Sequence, residues 1–234
     1  MSIEISNLAK HFGTNFTLEV PSFSLTRGST LGLVGNNGAG KTTFLRLILD
    51  LMEADEGEVK ILGETVAERD DWKTHVGSYL DASFLFDYLT PREFFGFVGS
   101  MYNMKMQDIE KALDPYRTFL ANELAPERHR YIRDLSTGSA KKVGIISAMI
   151  INPKVLILDE PFANLDPRSQ LALKSILQEL AAQRKVTMVI SSHDLAHVTD
   201  VCERIAILER GRIVEDMQTS KQTLSTLEAY FADV

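Results

Sequence analysis

The chain has 234 residues, 44% apolar and 24% charged, usage that excludes a disordered or fibrous protein. Its 25 Lys and Arg against 32 Asp and Glu give a net charge of -7, which argues against a general nucleic-acid binder, because such a surface must neutralise phosphates. Cys202 is the single cysteine, so an intrachain disulfide and a multi-cysteine zinc site are both excluded, as suits a reducing cytosol.

The first twelve residues lack the basic start and apolar core of a signal peptide. Over residues 3–34 apolar side chains alternate with a period near two: Ile3 and Ile5, then Phe16, Leu18 and Val20, then Phe23 and Leu25. That pattern predicts short strands. Thr30–Val34 reads as a buried strand ending at Gly35, and Phe44, Leu45, Ile48, Leu49 and Met52 put a helix on Lys41–Met52. From about 90 to 150 the pattern is mainly helical and predicts an inserted helical subdomain. Within it Val143–Ile151 is the longest apolar stretch, at nine residues, whereas about twenty are needed to cross a bilayer. Strand followed by helix recurs over 154–182 and 185–202, with Val155–Leu158 and Thr187–Ile190 as buried parallel strands. Arg204–Glu215 reads as a hairpin turning at Arg210-Gly211. The segment after about residue 215 is expected to be too short for a separate regulatory domain. No internal repeat and no linker divides the sequence, so one α/β domain is predicted over 1–234: a core with a β-subdomain from about 1–89 and 151–234, and the helical part from about 90–150.

Gly35-Asn36-Asn37-Gly38-Ala39-Gly40-Lys41-Thr42 fits G-x-x-x-x-G-K-[ST] between a predicted strand and helix. Glycines let successive backbone N–H groups curl around a phosphate, and the helix N-terminus that follows adds positive potential. Lys41 is expected to bridge the β- and γ-phosphates and the Thr42 hydroxyl to ligate Mg²⁺, with Thr43 beside them. The glycine order is wrong for a dinucleotide fold, so the expected ligand is a nucleoside triphosphate. Leu156-Ile157-Leu158-Asp159-Glu160 is an apolar strand ending in two acids, which are costly there unless a cation or a proton compensates. In a phosphate-loop fold Asp159 is placed to hold Mg²⁺ through water and Glu160 to polarise the attacking water.

The ordered set formed by these two motifs, Leu135-Ser136-Thr137-Gly138, Asn164-Leu165-Asp166 and Ser191-Ser192-His193-Asp194 resembles the nucleotide-binding domain of ATP-binding-cassette (ABC) transporters of an exporter-like bacterial type. The resemblance covers nearly the whole chain. It implies a phosphate-loop core with a mostly parallel sheet, an N-terminal antiparallel β-subdomain and an inserted helical subdomain. It also implies a head-to-tail homodimer, or a paralogous heterodimer, with two ATP molecules sandwiched between phosphate loops and the opposing segments Leu135, Ser136, Thr137, Gly138 and Ser139. Ser136 is expected to cap a helix over about 138–151. His193 matches the family histidine that contacts the γ-phosphate, Asp166 the loop linking the two sites across the dimer, and Phe12 the aromatic that stacks on adenine, with Phe16 a nearby competitor. Asp166 also reads as a helix N-cap before Pro167.

Two departures stand out. Thr137 replaces a glycine of the usual signature and Ser139 its glutamine, and Asp81 stands where the family has a glutamine that touches Mg²⁺. Phe84-Leu85-Phe86 and Phe94-Phe95-Gly96-Phe97 form either the border of a groove for a membrane subunit's coupling helix or the helical subdomain's own core. Lys141 and Lys142 are expected on a solvated helix face. The resemblance thus implies an ATPase that uses ATP and Mg²⁺, works with separate transmembrane permease subunits and binds no nucleic acid. Its expected place is the cytoplasmic face of the inner or plasma membrane. Thr137 and Asp81 tilt the expectation toward export. The alternatives are a weakly hydrolysing, nucleotide-controlled binding module and a soluble, non-transport ABC-type ATPase.

Overall fold

A computed structural model describes residues 1–125, 130–183, 185–220 and 222–232. Two sheets organise it. The N-terminal sheet is antiparallel and contains β1 (Ile3–Phe12), β2 (Phe16–Leu25), β4 (Glu56–Ile61) and β5 (Glu64–Thr65) in the order β2-β1-β4-β5. The second holds β3 (Thr30–Val34), β6 (Val76–Tyr79), β7 (Val155–Leu158), β8 (Thr187–Ser192), β9 (Arg204–Glu209) and β10 (Arg212–Gln218). Its order is β10-β9-β3-β8-β7-β6, parallel throughout except for β10.

The parallel strands are apolar on both faces because each face meets a different core. On β7, Val155 and Ile157 point toward the side shared with Phe44, Phe23 and the N-terminal sheet. Leu156 and Leu158 point the other way, toward the helices. β8 alternates in the same manner, with Val189 on the first side and Met188 and Ile190 on the second. This is the two-residue period of the pleat carried through a sandwiched sheet.

Helix α1 (Lys41–Ile48) follows β3. It is shorter than Lys41–Met52, because Leu49 caps it and Asp50 turns into the left-handed region at φ 52. Between β6 and β7 lie α2 (Pro91–Met101), α3 (Met106–Leu113) and α4 (Thr137–Met149). Thr90 and Glu93 form a capping box at the start of α2, with Pro91 at its first position. After β7 and β8 come α5 (Pro167–Ala182), α6 (Leu195–Val201) and, past β10, α7 (Thr223–Ala232). The hairpin turns where expected: Arg210 at φ 46 and Gly211 at φ 81 supply the two positive φ values of a tight two-residue turn. β10 runs to Gln218, past the expected end at 215.

Helix α4 overturns the expectation for Lys141 and Lys142. Val143 to Met149 are all buried, so the helix is covered on every side beyond its first turn. Lys141 is only 8% exposed, and Lys142 is largely covered as well. A helix that is apolar all round is a buried helix, so lysines on it need partners rather than solvent.

Candidate active site

The carboxyl ends of three adjacent parallel strands converge on one place, the edge where open α/β sheets bind ligands. β3 ends at Val34 and leads into residues 35–42, β7 ends at Leu158 before Asp159 and Glu160, and β8 ends at Ser192 before His193. β8 pairs with both β3 and β7, which fixes their register: Val34 lies beside Ser192, and Leu158 beside Ile190.

The phosphate loop needs its glycines locally. Gly40 sits at φ 106, and a Cβ there would lie 2.9 Å from Phe16 Cζ, so an L side chain is strained twice over. Lys41 is buried, and its Nζ donates to the Gly35 carbonyl at 2.7 Å. The same Nζ stands 3.4 Å from Glu160 Oε1. Thr42 Oγ1 donates to Asp159 Oδ2 at 2.5 Å, and Ser191 donates its hydroxyl to Asp159 Oδ1. Asp159 is buried, so these two hydroxyls stabilise a carboxylate that water scarcely reaches.

A hydroxyl and a carboxylate of this kind are hard oxygen donors suited to Mg²⁺, an ion usually held by one or two protein ligands plus phosphates and water. The residues present fit the ion. Among the described residues no group of three or more His, Cys, Asp or Glu forms a metal cluster. The Asp81 carboxylate is engaged elsewhere: it accepts from Ser83 N at 2.7 Å and lies 3.7 Å from Arg46 Nη2.

Glu160 occupies the left-handed region at φ 46. Its N–H donates to Ser191 Oγ at 2.9 Å, its carbonyl accepts from Lys141 Nζ at 2.7 Å, and its Oε2 lies 2.8 Å from His193 Nδ1. Burial pushes the Lys141 ammonium below its ordinary pKa, while the Glu160 and Asp159 carboxylates pull it back. Phe12, Phe16, the loop from Asn36 to Thr43 and Glu160 surround a cleft of about 380 Å³. Phe12 is 38% exposed at its rim, 5.8 Å from the Phe16 ring, while Phe16 packs against the loop.

Ser136, Thr137, Gly138 and Ser139 border a second cavity, of about 590 Å³, with Asn164 and Asp166. It shares no lining residue with the first. Within one chain the structure therefore does not bring Leu135–Ser139 to the phosphate loop. Ser136 caps α4 by accepting from Ser139 N at 3.2 Å, which leaves the Ser136 hydroxyl proton free to donate outward. The Ser139 hydroxyl donates to the buried Glu123 Oε1 at 2.8 Å. Gly138 cannot carry a side chain, since a Cβ would sit 2.7 Å from the Asn164 carbonyl. Asp166 caps α5: the Ser169 hydroxyl and the Ser169 N–H both donate to it and hold its carboxyl below the usual range.

The aromatic region divides. Phe94, Phe95 and Leu85 belong to the core, whereas Phe84, Phe86 and Phe97 are 50%, 48% and 40% exposed. Phe84 borders an apolar groove of about 220 Å³ between β6, α2 and α4. Glu123 is not singled out from the sequence, Lys141 is expected there on a solvated face, and Ser191 is read only as part of the motif before His193, with no role of its own. The apolar run of α4 is a usable signal for Lys141, whereas Glu123 carries none without the tertiary contacts.

A sequence model described as ABC transporter matches residues 18–163. The chain belongs to that family. An uncharacterised ABC transporter ATP-binding protein of Synechocystis is 32% identical, over 91% of this chain and 61% of the relative. Another, from Methanocaldococcus jannaschii, is 35% identical over 91% of this chain and 76% of the relative. This ABC-family chain thus spans less than two thirds of the first relative's length. A solved ATP-binding subunit of an ABC transporter superposes with a TM-score of 0.83 at 27% identity, covering 99% of this chain and 94% of the other. No helix among the described residues is long and apolar enough to cross a membrane.

Proposed function

We propose that this ABC-family chain hydrolyses ATP and powers transport through separate transmembrane permease subunits, from the cytoplasmic face of the membrane. The observation that carries this is the junction of Thr42, Asp159, Glu160 and His193 at three neighbouring strand ends, beside a loop shaped for phosphate. Phe12 offers a ring face to the base, the N–H groups of residues 36–43 cradle the phosphates, and Lys41 moves from the Gly35 carbonyl to the β- and γ-phosphates. Thr42 and Asp159 would hold Mg²⁺, which would supply positive charge against the phosphate oxygens. Glu160 accepts a hydrogen bond from the attacking water, and His193 fixes the Glu160 carboxylate and reaches the γ-phosphate.

The separation of the two cavities supports an antiparallel pair of copies, each presenting Ser136 and the α4 N-terminus to the other's ATP, with Asp166 between the sites. The exposed rings of Phe84, Phe86 and Phe97 and the adjoining groove suit a short apolar helix from the permease. The test is phosphate release by the parent and by Glu160→Gln. Loss of the carboxylate is expected to lower turnover by about a hundredfold or more while ATP still binds. Unchanged turnover contradicts the assignment.

A further inference from the structure

Lys141 has no part in these hydrolytic steps, yet it is a buried cation spent on the backbone of the proposed catalytic residue. Its ammonium donates to the Glu160 carbonyl at 2.7 Å, a stronger contact than the 3.3 Å bond the same oxygen accepts from Ala163 N. Glu160 sits at φ 46, a conformation that a residue with a Cβ holds only when its surroundings over-determine it. The Ser191 hydroxyl fixes the N–H of Glu160, and Lys141 fixes the carbonyl. Between them they clamp both ends of the strained residue and thereby set the direction of its carboxylate. Lys141 also stands in the second turn of α4, the helix capped by Ser136.

We propose that Lys141 is a positioning residue for hydrolysis: it holds Glu160 in its left-handed conformation and ties that geometry to the helix whose N-terminus meets the ATP of a second copy. This rests on the assignment of Glu160 given above. A substitution that removes the tether leaves the phosphate loop intact, so the effect belongs in the chemical step rather than in binding.

The experiment is steady-state phosphate release by the full chain, with Lys141→Met, Lys141→Arg and Lys141→Gln compared with the parent, and Lys141→Met repeated in a Glu160→Gln background. Lys141→Met is expected to lower kcat about tenfold with the KM for ATP within about twofold, the split that marks loss of a transition-state interaction. Lys141→Arg, which restores a charged donor, recovers most of the loss. In the Glu160→Gln background Lys141→Met has no further effect, because the residue acts through Glu160. Should Lys141→Met fail to fold, Lys141→Gln carries the same expectation: a lower kcat at constant KM that vanishes in the Glu160→Gln background. A kcat within twofold of the parent overturns the proposal. So does a raised KM with kcat kept, or an equal fractional loss in the Glu160→Gln background. Full turnover by Glu160→Gln overturns the catalytic assignment instead, whereas a parent-like Lys141→Met beside an inactive Glu160→Gln overturns the positioning role alone.

Discussion

At the scale of single residues, the site is a set of charges each held by a neutral or opposite partner. Lys41 lies between the Gly35 carbonyl and Glu160, and Asp159 between the hydroxyls of Thr42 and Ser191. These partners let buried ionised groups persist, and they are also the groups that a nucleotide can displace. Lys41→Ala is expected to abolish measurable ATP binding in isothermal titration without unfolding the chain. Normal affinity in that variant contradicts the role of residues 35–42. The motif residues were legible from the sequence because their chemistry depends on spacing along the chain. The roles of Lys141, Glu123 and Ser191 were not, since they come from contacts made across the fold. Asp81, whose position suggests a metal ligand, has its carboxylate on the Ser83 N–H and near Arg46.

At the scale of elements, the residues of the proposed site stand at helix ends and strand ends. Ser136 caps α4 through the Ser139 N–H, so Ser136→Ala should cost about 1 kcal/mol in denaturant unfolding, in the range of a lost N-cap. The same substitution also removes the hydroxyl proposed to meet a second copy's ATP. The inner end of α4 packs on β6, where Tyr79 lies against Gly144: a Cβ on that glycine would come within 2.2 Å of the ring. Burial, with a smaller contribution from Asp81, pushes the Tyr79 phenol from 10.0 up to about 12. The folded state therefore keeps the proton more tightly than the unfolded one. This contribution to stability is complete below pH 10 and is lost as pH rises toward 12. Tyr79→Phe is expected to flatten the fall in stability over that window, measured by urea unfolding at successive pH values. An unchanged slope would remove Tyr79 from the account. Strand and helix order followed from apolar periodicity, but the end of α1 did not, because apolar spacing continues to Met52 past the backbone reversal at Asp50.

At the scale of the whole molecule, one chain presents two cavities that do not meet. The phosphate cleft and the cavity at Ser136–Ser139 share no residue, and each is open to solvent on the face it offers. Periodicity alone could not have revealed this, since it depends on how the start of α4 packs against the Asn164 backbone ahead of α5. Only the family resemblance anticipated a second copy. The aromatic region was legible as unusual but ambiguous, and the fold divides it: Phe94 and Phe95 go to the core, Phe84, Phe86 and Phe97 to the surface. The central claim is that two copies close over ATP, with each phosphate cleft completed by the other's Ser136 segment. Light scattering of Glu160→Gln after size exclusion, with and without ATP and Mg²⁺, tests it most directly. The predicted result is a monomer that becomes a dimer holding two ATP molecules. A chain that binds ATP yet stays monomeric at high concentration would contradict the account.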